Sequence, residues 1–172
     1  MSRRVGPILQ NGYVVRDWRA AAEHWARELG VGPFFVMEHI AFRECRYHGQ
    51  PARIDMSVAI AYTGEQQIEL VQQHDDTPSI YRDFLERSGE GLQHVGALVT
   101  DLDAALDTNG WRGRIVQDGT TAIGQRFAYV DTVRHDGTML ELIETTPKIL
   151  AAFEHMKRAA REWDGTDPIR IR

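Results

Sequence analysis

The chain has 172 residues, 42% of them apolar and 26% charged. That is the size and make-up of one globular domain, not of a disordered or collagen-like chain. With 20 basic and 25 acidic residues the formal net charge is −5, which lacks the basic excess of a nucleic-acid binder. No apolar run approaches the ~18 residues of a membrane span, and no signal-peptide core follows Arg3 and Arg4. The lone Cys45 excludes an internal disulfide or a cysteine zinc cluster. A soluble cytoplasmic protein is expected, without nucleic-acid or membrane partners.

The stretch Ile8 to Val15 is β-rich and predicts a strand. Asp17 is a helix N-cap, and Trp18, Ala21, Ala22, Trp25 and Leu29 keep helical spacing up to Gly30. Pro33 to Phe42, Ala52 to Thr63 and Gln66 to Gln73 predict three strands. Thr77-Pro78 opens a short connector helix through Phe84 and Leu85. Gln93 to Thr100 is the next strand, and Asp101 caps a helix ending at Asn109-Gly110. Strands follow near Arg114 to Gln117, Arg126 to Thr132 and Thr138 to Glu144. Pro147 opens a last helix with Leu150, Phe153, Met156, Ala160 and Trp163 as its apolar face.

This order contains a repeat. With Asp17 laid over Asp101, Gly12 falls on Gly96, Val15 on Val99 and Ala20-Ala21 on Ala104-Ala105. Further on, Ile68-Glu69-Leu70-Val71 matches Leu140-Glu141-Leu142-Ile143. The expectation is a single α+β domain over residues 1–172. Module one spans about 8–75, a connector helix about 77–88 and module two about 92–145. A C-terminal helix and tail fill 147–172.

Glu69 and Glu141 each lie between aliphatic residues in a strand. A carboxylate inside a sheet core is costly unless it is paired or binds a metal; strand alternation offers the other reading, a solvent-facing side chain. Gln10 and His94 hold equivalent places in the two opening strands. One imidazole nitrogen, two carboxylates and an amide oxygen suit a divalent ion such as Zn, Ni, Co or Mn. Two carboxylates would also neutralise its charge.

These residues carry a resemblance to the vicinal oxygen chelate superfamily, which includes glyoxalase I, methylmalonyl-CoA epimerase, extradiol dioxygenases and bleomycin-resistance proteins. The local likeness is strongest to the epimerase branch. It runs through Ile68-Glu69-Leu70-Val71, Asp76-Thr77-Pro78, Phe84-Leu85-Glu86, Gly89-Glu90-Gly91-Leu92-Gln93-His94-Val95 and Val99-Thr100-Asp101-Leu102, and closes on Asp136-Gly137-Thr138-Met139-Leu140-Glu141-Leu142. The resemblance implies two βαβββ modules forming a pair of open half-barrels around a central cavity. It also implies metal ligands at Gln10, Glu69, His94 and Glu141. The Gln/Glu/His/Glu set resembles one class of glyoxalase I; the epimerase usually has His at the first position and often Gln at the second. Glu44 is the acid nearest to the epimerase's general-base position. A single histidine in the set weighs against non-haem iron oxygen chemistry, which generally uses two.

The function implied is metal-assisted isomerisation, epimerisation or lyase chemistry on a small molecule, with Glu141 or Glu69 as the base and Glu141 preferred. The alternative is a non-catalytic protein that sequesters a small molecule, as bleomycin-resistance proteins do. Trp25, Phe34, Phe35, Phe127 and Tyr129 are core or cavity aromatics under either reading. By analogy the chain is expected to form a homodimer.

Overall fold

The computed structural model describes residues 5–132 and 139–171. The Asp136-Gly137-Thr138 part of the closing motif and the expected strand start at Thr138 lie outside the described residues. Eleven strands and four helices follow in the order β1 (Ile8–Val14), α1 (Trp18–Leu29), β2 (Phe34–Met37), β3 (Phe42–Tyr47), β4 (Gln50–Pro51), β5 (Met56–Thr63), β6 (Gln66–Gln73), α2 (Ile80–Ser88), β7 (Gly91–Val99), α3 (Leu102–Asn109), β8 (Ile115–Thr121), β9 (Arg126–Asp131), β10 (Met139–Glu144), α4 (Pro147–Arg161) and β11 (Ile169–Ile171). The capping residues act as their types dictate. The Asp17 and Asp101 carboxylates accept backbone N–H groups of Ala20 and Ala104, and Thr146 caps α4 with Pro147 behind it.

All strands join one sheet in the order β11-β2-β5-β6-β1-β7-β10-β9-β8-β3-β4. At its centre β1 and β7 run antiparallel, and each pairs in parallel with the last strand of its own half, β6 or β10. This is the repeat written as topology. The sheet has to curl. Eight strand spacings separate β2 from β3, about 38 Å if flat. Yet only residues 38–41 join them along the chain, a reach of about 18 Å.

Side-chain alternation then sorts the core into three clusters. On the outer face, α1 covers Ile68, Leu70, Ala59 and Phe34 with Trp18 and Ala22. In the same way α3 covers Leu140, Leu142 and Ala128 with Leu102 and Leu106. The inner face is lined by Phe35, Val58, Ile60, Tyr62, Phe127 and Tyr129, and is packed by Ile80, Tyr81 and Phe84 of α2 and by Ile149, Phe153 and Met156 of α4. Each fully buried large aliphatic or Phe side chain contributes roughly 1.5–3 kcal/mol.

Four expectations are corrected. The strand expected over Pro33 to Phe42 stops at Met37. Residues from Phe42 form a separate strand, β3, which leaves its own half and pairs with β8 of the other. The strand expected from Ala52 starts at Met56, and the one near Arg114 to Gln117 runs on to Thr121 after a 3-10 turn at Arg112–Arg114. The apolar face of α4 is Ile149, Phe153 and Met156, whereas Leu150 is exposed. The tail adds β11 along β2, and Phe34 N–H donates to the Pro168 carbonyl at 2.8 Å. Among the described residues no helix is long and apolar enough to cross a membrane.

Candidate metal centre

The four singled-out residues lie on two alternate rungs, on one face, at the middle of the sheet. Gln10 faces Gln67 on one side and Gly96 on the other, and Gly96 faces Glu141. Two rungs along, Gly12 faces both Glu69 and His94. All four side chains are buried: His94 is fully buried, and Gln10, Glu141 and Glu69 are 2%, 7% and 8% exposed. The two glycines make this possible. A Cβ at Gly12 would fall inside the His94 ring, and one at Gly96 would collide with the Gln10 amide. Each central strand thus lays its polar side chain across the glycine of the other.

Three of the four converge closely. His94 Nε2 lies 3.1 Å from Glu69 Oε2 and 3.5 Å from Glu141 Oε2. One donor atom from each residue fits within a 4.8 Å spread. His94 Nδ1 lies 2.7 Å from Gln93 Oε1, so the Nδ1–H donates there and Nε2 faces the carboxylates. Tyr129, the cross-strand partner of Glu141, stands edge-on to the imidazole at 5.1 Å. The Tyr81 hydroxyl donates to that of Tyr129 at 3.1 Å.

The electrostatics follow from this packing. Burial acts against an imidazolium at His94, but the facing Glu141 and Glu69 carboxylates outweigh it and push the pKa up to about 9. Burial raises the Glu69 pKa and the Glu141 charge adds to this, against the His94 hydrogen bond, which lowers it. Burial, reinforced by the Glu141 charge, also holds Tyr81 and Tyr129 well above the usual phenol range. In the metal-free protein a proton on His94 therefore sits between two carboxylates, where a cation is favoured.

The donors fit a divalent ion. Gln10 Oε1 is buried without a hydrogen-bond partner, a state that costs about 1–3 kcal/mol, and Glu141 Oε2 makes no hydrogen bond beyond its 3.5 Å ion-pair contact with His94 Nε2. Gln10 instead spends its Nε2 on Gln67 Oε1 at 2.8 Å, and Gln67 Nε2 donates to the Tyr62 hydroxyl at 2.7 Å. Nitrogen and oxygen donors carrying two negative charges are what a Zn-like ion takes.

Other expectations fall elsewhere. Glu44 is exposed on β3, against Thr120 at 3.4 Å, and has no place in this centre. Phe35, Phe127 and Tyr129 line the inner face, whereas Phe34 packs beneath α1 on the outer one and Trp25, on α1 itself, packs against the same outer cluster. Burial pushes the Cys45 thiol up to about 11, with Asp118 adding to it, which leaves it inert as a nucleophile. A cleft of about 690 Å³ lies beside β3, with Arg43, Arg53 and Ile54 among its walls, and none of the four donors lines it. Sequence reading missed Gln67, Gln93, Tyr62 and Tyr81. Gln67 was accessible, being two residues before Glu69 on the same strand face.

Residues 9–129 match the sequence profile of the Glyoxalase/Bleomycin resistance protein/Dioxygenase superfamily. The chain belongs to this superfamily. Its members typically bind a divalent metal ion, and the buried Glu69–His94–Glu141 cluster is able to hold one. No curated protein matches the chain by sequence. Among solved structures, methylmalonyl-CoA epimerase from Mycobacterium tuberculosis is similar at 23% identity and a TM-score of 0.59, covering 88% of this chain and 95% of that one. A hypothetical protein from Bacillus halodurans is similar at 17% identity and a TM-score of 0.56, covering 81% and 94%. A variant of the Streptomyces coelicolor methylmalonyl-CoA epimerase, bound to 2-nitronate-propionyl-CoA, is similar at 16% identity and a TM-score of 0.54, covering 83% and 96%. At these identities the likeness is one of fold.

Proposed function

We propose that this superfamily member is a divalent-metal-dependent isomerase, epimerase or lyase that moves a proton beside a carbonyl of a small molecule. The observation that supports it most is the convergence of buried donors: Gln10 Oε1 has no hydrogen-bond partner, and Glu141 Oε2 and Glu69 Oε2 both face His94 Nε2, at 3.5 and 3.1 Å. Gln10, Glu69, His94 and Glu141 would hold one ion of the Zn, Ni, Co or Mn class. When bound, such an ion supplies Lewis-acid stabilisation of the negative charge that develops on a carbonyl oxygen.

The chain's own residues do the rest. Glu141 is the better base, because its Oε2 stands farther from His94 Nε2, at 3.5 Å, than Glu69 Oε2 does, at 3.1 Å. A carboxylate so placed takes the proton next to the carbonyl and returns it to the other face or a neighbouring atom. The buried Tyr81–Tyr129 pair stands beside His94 and would limit the access of water to a carbon being deprotonated there. The substrate classes are the α-hydroxy carbonyls and thiohemiacetals of glyoxalase-type reactions and the 2-methyl-acyl thioesters of the epimerase neighbours.

Metal analysis of the purified protein is the first test, with about one ion per chain expected. Solvent deuterium uptake into a panel of those three classes is the second. On the substrate found, Glu141→Gln lowers exchange about 100-fold or more while metal stays bound. Full activity in both Glu141→Gln and Glu69→Gln would overturn the mechanism. A protein that takes up no metal yet binds such small molecules would instead be a sequestering protein.

A further inference from the structure

Two buried glutamines stand behind the proposed ligands, and each makes the same kind of contact. Gln67 Oε1 accepts from Gln10 Nε2 at 2.8 Å, and Gln93 Oε1 is 2.7 Å from His94 Nδ1. Gln67 is fully buried and Gln93 is 3% exposed. Neither belongs to the donor set, and burying a primary amide is unfavourable unless its polar atoms are engaged.

Gln93 owes its position to an irregularity in the sheet. Along β1 and β7 the pairing passes from Gly12 opposite His94 to Tyr13 opposite Leu92, so Gln93 is an extra residue with no partner on β1. Such a bulge re-aims a side chain. Successive strand residues ordinarily point to opposite faces, but here Gln93 and His94 are both buried and in contact. Gln67 is placed by plain alternation, two residues before Glu69 and directly across from Gln10. Its Nε2 is anchored on Tyr62, whose ring packs against Phe153 and Lys157 of α4.

We propose that Gln67 and Gln93 are paired positioning residues that select which atom of each neutral ligand reaches the metal. Gln67 takes the amide N–H of Gln10 and leaves Oε1 free. Gln93 takes the Nδ1–H of His94 and leaves Nε2 free. Without them, Gln10 can present an NH₂ group, which no cation accepts, and His94 can carry its proton on the wrong nitrogen. The proposal rests on Gln10 and His94 being ligands, and deepens that reading.

Cobalt(II) titration of the metal-free full-length protein, followed by its visible absorption, tests it. Gln67→Met and Gln93→Met each weaken cobalt binding about tenfold or more, and Gln67→Glu and Gln93→Glu, which keep an accepting oxygen, restore it to within about threefold. Nitrogen-15 histidine spectra of the zinc-loaded wild type need no substitution, and show the His94 proton on Nδ1. A proton on Nε2, or Met variants that bind cobalt like wild type while His94→Ala does not, overturns the positioning role. A wild type that takes up no cobalt, or a His94→Ala protein that binds it unchanged, overturns the ligand assignment itself.

Discussion

The two halves of the sheet are built alike and loaded differently. In the first, Gln10 lies over Gly96 and Glu69 lies across from Gly12; in the second, His94 lies over Gly12 and Glu141 lies across from Gly96. The backbone is pseudo-symmetric, yet of the four residues the second half contributes the one imidazole and the carboxylate farther from it, at 3.5 Å, while the first contributes an amide and the carboxylate nearer to it, at 3.1 Å. The lesson is that a duplicated scaffold fixes where donors stand, and single substitutions on it decide which of them carries charge or a proton.

The strongest way to break this comparison is at the glycines. Gly12→Ala drives a methyl into a rigid, fully buried imidazole, whereas Gly96→Ala strikes the Gln10 amide, which can swing about its side-chain bonds, and presses on the Gln10 Cβ at 2.9 Å. We expect Gly12→Ala to cost about 3 kcal/mol and Gly96→Ala about 1 kcal/mol, read by urea denaturation of the metal-free protein. Equal losses would mean that the two halves are packed alike as well as folded alike.

Protons sharpen the comparison next. With His94 pushed up to about 9 in the metal-free protein, a metal must displace that proton, whereas Gln10 has none to lose. Metal affinity should therefore climb roughly tenfold per pH unit from neutrality and level off above about 9. Calorimetry in buffers of different ionisation enthalpy should show proton release near pH 7. Uptake that ignores pH would remove His94 from the set. The smallest effect concerns the helix that covers the first half: Leu150→Ser should change stability by no more than about 0.5 kcal/mol, because Ile149, Phe153 and Met156 make the packed face. A thermal melt checks it.

Much of this was written in the sequence. The Gly12/Gly96 and Glu69/Glu141 matches located the central strands, and Asp17, Asp101 and Pro147 marked three helix starts, because capping chemistry and alternation are local. What remained hidden was non-local. Nothing between Pro33 and Tyr47 announces that the chain crosses to β8, since Phe42–Tyr47 is an ordinary strand whose partner lies some seventy residues on. Gln93 could not be placed, because period-two alternation sends it away from His94 and only the bulge brings it back. On α4, Leu150 and Ile149 are adjacent aliphatics, and the one-residue rotation that buries Ile149 depends on how the helix meets the sheet.

The crossing strand also bears on how the protein can be taken apart. By chain order β3 belongs to the first half, but its hydrogen bonds run to β8 of the second. Cut near Gly89, the carboxy-terminal fragment would expose β8 as a raw edge inviting self-association, and its companion would carry an orphan ribbon. Mixed together, the fragments should recombine by clasping, each supplying the strand the other lacks.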